Sequence, residues 1–170
     1  MTARAGFYIA VHGVIGNGGQ ILLGCRANTS YGDGLYAFPA GHLERGETLQ
    51  EALVRELNEE TRIAPAGCFN LMAAPALLIE HMKDCGPGVP PETRFRHYQD
   101  FFFRVDGWQG EPVNGEPDRC SHLAFFNRQA LPENILPLDA HALDCMANKQ
   151  GYARFGWDHP DYPAWKAAFG

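Results

Sequence analysis

Residues 41–63 of the chain read GHLERGETLQEALVRELNEETRI. The second half of this stretch carries the marks of a helix over 48–61. Thr48 suits the N-cap, and Glu51, three residues on, completes a capping box. Leu49, Leu53 and Leu57 recur every fourth residue, so one stripe of the helix faces a core. At ~100° per residue, Glu56, Glu59 and Glu60 fall within an arc of roughly 100°. Leu49, Ala52 and Leu53 point into the same sector. Glu56 and Glu60 therefore lie on or beside the apolar stripe, away from the solvated face.

A Glu-rich helix is often only a solvated helix held by i,i+4 pairs, and Arg55 does stand four residues from both Glu51 and Glu59. That reading fails for Glu56 and Glu60, because carboxylates at a buried edge repel each other and lose water. A hard divalent cation removes both penalties. Mg²⁺ takes oxygen ligands from carboxylates and from the phosphates of a substrate.

Upstream, residues 7–15 are rich in aromatic and β-branched types, Gly16-Asn17-Gly18-Gly19 is a turn, and Ile21-Leu22-Leu23 resumes the apolar run, which predicts a hairpin. A Gly/Asn/Ser-rich loop over 27–34 leads into a short strand over 35–39. Downstream, strands are predicted at 69–72, 76–81, 95–105 and 122–127, with a Pro- and Gly-rich loop at 83–92. A last helix spans 139–150, with Asp139 as its cap and Gly151 as its stop. The tail over 151–170 looks irregular, yet it carries Tyr152, Phe155, Trp157, Tyr162, Trp165 and Phe169. So many aromatic rings are costly to leave in water. They pack on their own domain or form a homodimer contact. No internal repeat or linker divides residues 1–170, which the sequence therefore assigns to one α+β domain.

Composition narrows the partners. The chain has 170 residues, 45% apolar and 20% charged, ordinary for a globular protein. Its net charge is −6 and it has no Lys/Arg run, so a nucleic-acid polymer finds no electrostatic footprint. An acidic protein still binds phosphates where a bound cation reverses the local field. No apolar run approaches the ~18 residues of a membrane span, and the start has no signal-peptide h-region, so a cytoplasmic location is expected. The five cysteines, at 25, 68, 85, 120 and 145, include no C-x-x-C pair and are read as idle thiols. The seven His show no H-E-x-x-H or triad spacing. A P-loop and a G-x-S-x-G elbow are both missing.

The stretch 41–63 resembles the Nudix box: a glycine, five residues, Glu, seven residues, Arg-Glu-aliphatic-x-Glu-Glu, then x-Gly-aliphatic. Gly41, Glu47, Arg55, Glu56, Leu57, Glu59, Glu60 and Ile63 all fall in register. One position departs: Arg62 stands where the family has the Gly that ends the helix, which leaves the helix exit unsettled. LYAFPAG ahead of the box, and Gly115-Glu116-Pro117-Asp118-Arg119-Cys120, Phe125-Phe126 and Leu131-Pro132 after it, are similar to MutT-like members.

The resemblance implies a Nudix fold, a mixed β-sheet sandwiched between α-helices, and a hydrolase acting on nucleoside diphosphates linked to some other moiety. Carried onto this chain, it implies Glu56, Glu59, Glu60 and the Gly41 carbonyl as ligands of Mg²⁺, for which Mn²⁺ substitutes. Glu47 and Arg55 become a supporting ion pair. Glu116 falls where several MutT-like members place a further ligand or base.

Cleaving a phosphoanhydride with water needs neutralised phosphoryl oxygens, an oriented nucleophile and a stabilised leaving group. Glu56 or Glu59 is expected nearest the attacking water, with Glu116 as the rival base. Arg26 and Phe38 are candidate contacts to phosphate and base, against the plainer readings of a surface Arg and a core aromatic. Tyr36, Phe102, Phe125 and Phe126 face the same choice. The expected substrate is a small nucleotide, first a nucleoside triphosphate cleaved to monophosphate and pyrophosphate. Nucleotide sugars, ADP-ribose and dinucleoside polyphosphates rank second, because Leu78-Ile79-Glu80-His81 lacks the Pro or Tyr that often marks those subfamilies. A non-catalytic nucleotide-binding regulator ranks third, since every box carboxylate is present.

Overall fold

The structure is a computed structural model that describes residues 6–65 and 74–169. The strand expected at 69–72 and Cys68 lie outside the described residues. Strand β1 (Tyr8–Asn17) turns at Gly18-Gly19 into β2 (Gln20–Arg26), as the hairpin signal required, with Asn17 opposite Gln20. The short strand expected at 35–39 is two pieces, β3 (Tyr36–Ala37) and β4 (Ala40–His42), on either side of Pro39. Pro39 donates no hydrogen bond, so it interrupts the ladder. Its carbonyl instead accepts from Gly13 N at 2.9 Å.

Helix α1 (Leu49–Thr61) begins at Thr48 with both hydrogen bonds of the capping box in place. β5 (Ala64–Pro65) follows, then β6 (Leu77–Asp84), β7 (Phe95–Val105), β8 (Trp108–Gln109) and β9 (Cys120–Asn127). Helix α2 (Pro137–Ala147), β10 (Tyr152–Phe155) and helix α3 (Tyr162–Phe169) complete the order. The main sheet runs β10-β6-β7-β1-β2-β3, with β4 also on β1 and β9 also on β2. It is mixed: β1–β7 and β10–β6 are parallel, while β6–β7, β2–β9 and β1–β4 are antiparallel. β5 and β8 form a separate two-stranded ribbon.

Alternation along the strands splits the core in two. Val11, Ile15, Phe103 and Val105 meet Leu53 and Leu57 of α1 on one face. Val14, Phe102, Leu77 and Ile79 meet Leu138, Ala142 and Met146 of α2 on the other. The sheet is thus sandwiched between helices. Polarity changes along the α2 face of β6, β7 and β1. Beyond Ile79, Phe102 and Val14 come His81, Asp100 and His12, and then Lys83 and Tyr98. α2 covers the apolar part, and the polar part is left to line a cavity.

Two expectations need correction. α2 starts earlier than 139: Leu136 is its N-cap, with Pro137 in the first turn. Proline is pre-set for that position and lacks the N–H that would go unpaired there. Asp139 lies within the first turn, and its carboxylate accepts from Phe38 N instead of capping the helix. The tail is not irregular either. β10 pairs parallel to β6, and Trp157, Tyr162 and Trp165 pack edge-on or stacked among Phe95, His97 and one another. Trp157 Nε1 donates to Glu80 O at 2.8 Å and Trp165 Nε1 to Pro91 O at 2.7 Å. Trp157, Tyr162 and Trp165 thus pack within their own chain, while Tyr152 stays 52% exposed.

Candidate active site

One cavity of about 530 Å³ takes in the last turns of α1, the backbone around β4, the loop ahead of β9 and the polar end of the α2 face. Gly41, Glu56, Glu59, Glu60, Glu116, Arg26 and Phe38 all line it, whereas Tyr36, Phe102, Phe125 and Phe126 do not and pack in or against the two cores.

Arg55 organises the carboxylate end. Its guanidinium forks onto Glu47, Nε to Oε1 at 2.7 Å and Nη2 to Oε2 at 3.0 Å, while Nη2 also donates to His42 O at 3.0 Å. Glu47 accepts in addition from Glu44 N. The Arg55 hydrogen bonds hold the Glu47 carboxyl below the usual carboxylate range. One residue thereby fastens the 42–47 loop to α1, in the way bidentate Arg–carboxylate geometry permits. Arg55 Nη1 donates to Glu56 Oε1 at 2.7 Å. It also approaches Glu59 Oε2 at 3.4 Å.

The three helix carboxylates differ in solvation. Glu60 is partly buried and accepts from Ala40 N at 3.0 Å. Burial pushes its carboxyl up to about 8, the charges of Glu56 and Glu116 add to this, and Ala40 N and Arg26 oppose it. Burial also raises Glu56, against the pull of Arg55. The Glu59 side chain is 50% exposed and the Glu56 side chain 13%, so Glu59 is the one free to reorient toward a ligand.

Gly41 explains how close the backbone comes. A Cβ built there would overlap the Glu56 carboxyl group, so only glycine lets this strand run against that carboxylate. Gly115 does the same for the Glu116 loop, since its Cβ would strike Glu59 O. Gly115 N donates to Glu60 O at 2.8 Å and Val113 N to Thr61 O at 2.9 Å, so the loop satisfies carbonyls that the end of α1 leaves open. Arg62 adopts φ 58°, ψ 13°, the left-handed exit a glycine usually takes, and its Nη2 donates to Gly115 O at 3.0 Å. The substitution for glycine thus keeps the helix exit and adds a tether to the loop that carries Glu116.

At the far end, Asp100 Oδ1 lies 3.0 Å from His12 Nε2 and its Oδ2 3.2 Å from His81 Nδ1. Burial alone would raise the Asp100 carboxyl, but the two histidines hold it down at about 2. Asp139 Oδ2 accepts from Phe38 N at 2.8 Å, and burial lifts that carboxyl to about 6. Arg26 donates to Tyr31 O at 3.0 Å, and Lys83 Nζ sits 3.9 Å from the centre of the Tyr31 ring. Phe38 is 4% exposed and packs edge-on to Phe102 in the core beneath the cavity.

His12, His81, Asp100, Asp139, Tyr31 and Lys83 escaped the sequence reading. The available signal was a polar residue at an inward position of each of three apolar strands. Motif spacing carries no trace of it, because the residues meet across the sheet.

Residues 7–147 match the NUDIX domain family. The chain is 46% identical over 143 residues to the ADP-ribose pyrophosphatase of Methanocaldococcus jannaschii, covering 84% of this chain and 75% of that one. It is 31% identical over 134 residues to the 8-oxo-dGTP diphosphatase of Escherichia coli K12, covering 78% and 92%. In fold it is similar to a MutT NUDIX hydrolase from Burkholderia pseudomallei, with TM-score 0.69, 24% identity, and 82% and 98% of the two chains covered. The chain belongs to the Nudix family and is a hydrolase acting on phosphoanhydride bonds.

Proposed function

We propose that this chain hydrolyses nucleoside triphosphates to the monophosphate and pyrophosphate with the help of Mg²⁺, or of Mn²⁺ in its place. The observation that carries this reading is one cavity with carboxylates gathered at one end and His12, His81, Asp100 and Asp139 at the other. Glu56, Glu59, Glu60 and the Gly41 carbonyl would hold the cation.

Two features support the fit. A partly buried Glu60, its carboxyl raised by loss of water, is a costly anion without a cation, and Gly41 has no side chain to block its own carbonyl or Glu56. Among the described residues, no three acidic, imidazole or thiol groups are already closed into a ligand shell. Glu56 is held by Arg55 and Glu60 by Ala40 N, and both would turn to ligate. Bound cations supply charge neutralisation on the phosphoryl oxygens.

The chain's own residues do the rest. Arg26 faces the phosphates, and its charge is felt by Glu60. A water oxygen attacks phosphorus, the bridging oxygen leaves with pyrophosphate, and the water's proton passes to a carboxylate. Glu59 has the exposure to receive it, and Glu116 lines the same cavity. We place the protein in the cytoplasm.

Incubation of the purified protein with a broad nucleotide panel, with and without Mg²⁺ or Mn²⁺, followed by product identification by mass, tests this. Monophosphate and pyrophosphate are expected, and no product from any nucleotide overturns it. The 46% identity to an ADP-ribose pyrophosphatase favours a second reading, cleavage of ADP-ribose, which the same panel scores as AMP.

A further inference from the structure

We propose that Lys83 and Arg96 form a second anion subsite, remote from the helix carboxylates, which takes a phosphate carried on the ribose of the substrate. The inference rests on the nucleotide-hydrolase reading above for the place of the anhydride, at Gly41 and Glu56, and goes beyond it in the class of nucleotide.

Lys83 on β6 is directly opposite Arg96 on β7. Opposed residues of an antiparallel pair share a face, so two like charges are set side by side, an arrangement that costs stability. Among the described residues, Arg55 and Arg94 are spent on carboxylates, whereas Lys83 and Arg96 form no ion pair. They lie instead against rings. Lys83 Nζ is 3.9 Å from the centre of the Tyr31 ring and 5.5 Å from that of Tyr98, and the Arg96 guanidinium carbon is 5.4 Å from that of Tyr8. Loss of water lowers the Lys83 ammonium from the usual lysine range, and the charges of Arg26 and Arg96 add to this, against Cys85 and Asp100. Asp100 is no partner for it, since its two oxygens face His12 and His81. In a chain of net charge −6, two opposed cations without a carboxylate are a cost that a bound anion removes.

Both cations are within reach of a ligand. Each is half-buried; Lys83 lines the cavity, and Arg96 lines a neighbouring hollow of about 330 Å³ that shares His42 and Tyr98 with it. Tyr98 thus borders both spaces.

The register sets the distance. Gly41, Val11, Phe101 and Leu78 lie in one row across β4, β1, β7 and β6. At ~4.8 Å per strand the row spans roughly 14 Å, and Lys83 lies a further ~16 Å along β6 at ~3.3 Å per residue. The Cα atoms of Gly41 and Lys83 are then roughly 20 Å apart. The Lys83 side chain shortens this gap without closing it, so the phosphates of an anhydride seated at Gly41 do not extend to Lys83. Sugar and base lie between. A phosphate on the 2′ or 3′ oxygen of the ribose projects from that middle portion, and ammonium and guanidinium groups both donate to phosphate oxygens.

Titration calorimetry on the intact wild-type protein in Mg²⁺ compares AMP and GMP with their 2′,5′- and 3′,5′-bisphosphates, which separates the two ribose positions. At least one bisphosphate should bind about tenfold or more tightly than its monophosphate. Lys83→Met should bring that ratio to within about threefold by weakening the bisphosphate alone, and Lys83→Arg should keep it. Arg119→Met removes a cation from the same cavity, at the loop that carries Glu116, and should leave the ratio unchanged. If Lys83 only pins Tyr31, Lys83→Met lowers the melting temperature and the ratio does not move. Bisphosphates that bind no tighter than monophosphates, or a ratio that survives Lys83→Met, would overturn the proposal. Tight binding of a bisphosphate without cleavage of any nucleotide would leave the subsite standing and remove the triphosphate reading.

Discussion

Glu56 and Glu60 lie one turn apart on α1, and the chain treats them differently. Arg55 compensates Glu56, whereas Glu60 has only a backbone N–H and the distant charge of Arg26. Removing either ligand should cost the cation its seat. Mg²⁺ should raise the melting temperature of the wild type and leave that of Glu56→Gln unmoved in a calorimetric titration. In the same variant kcat should fall by about 10²- to 10⁴-fold. A preserved Mg²⁺ shift in Glu56→Gln would remove Glu56 from the ligand set.

The pair Asp100 and Asp139 leads to a pH prediction. Asp100 is depressed to about 2, so its stabilisation is present above the unfolded value near ~3.9 and is lost as pH falls toward 2. Asp139 is raised to about 6, so the stability tied to its proton is full below ~3.9 and is lost as pH rises through 6. Asp139→Asn keeps an acceptor for Phe38 N but has no charge to bury. Its stability relative to the wild type should therefore improve by on the order of 3 kcal/mol between pH 4 and pH 7. Urea midpoints at the two pH values measure this, and a constant difference would count against it.

Legibility at this scale divides along the same line. The carboxylates proposed as ligands were legible because a helix places Glu56 and Glu60 beside one apolar stripe by local spacing, with Glu59 added by the resemblance. The buried His12–Asp100–His81 cluster was not, since 88 residues separate His12 from Asp100 and only the strand order joins them.

Among the elements, α1 was readable to its cap, because Thr48 and Glu51 act within three residues of each other. Its exit was less so. The Gly-to-Arg departure left the geometry unsettled, and the structure resolves it with a left-handed Arg62 whose side chain reaches Gly115 O. The start of α2 was misread because Asp139 looks like a cap when its partner, the Phe38 N–H, lies 101 residues away. The loop carrying Glu116 depends on Gly115 lying against Glu59 O. Gly115→Ala should push the loop off the end of α1, cutting kcat by tenfold or more if Glu116 takes part in catalysis, as an order-of-magnitude expectation. Hydrogen exchange at Gly115 and Val113 should quicken with it. Unchanged exchange and activity would show that the contact is dispensable.

For the whole molecule, the two cores follow from side chains of β1 and β7 facing opposite sides of the sheet; composition marked the strands in the sequence but not their two faces. The role of the tail was not legible either, because aromatic content says that rings need burial without saying where. In the structure they cover Phe95 and His97, and Arg94 binds both Asp84 and Asp161, tying α3 to the sheet. Deleting residues 151–170 should lower the melting temperature by roughly 10 °C or more, given ~2–4 °C per kcal/mol at this size. It should also promote association measurable by light scattering. If the shortened chain melts like the parent, the tail's packing is incidental.

The parallel pairing of β10 with β6 also bears on how the protein is made. A ribosome releases residues 77–84 well before residues 152–155, so β6 emerges with its outer row of N–H and C=O groups bare. Such an edge recruits stray strands from other nascent chains. The short strand that closes it arrives only after some seventy further residues have been translated. Synthesis slowed over that interval would lengthen the exposure, and crowded expression would convert it into aggregates even though the finished fold is sound.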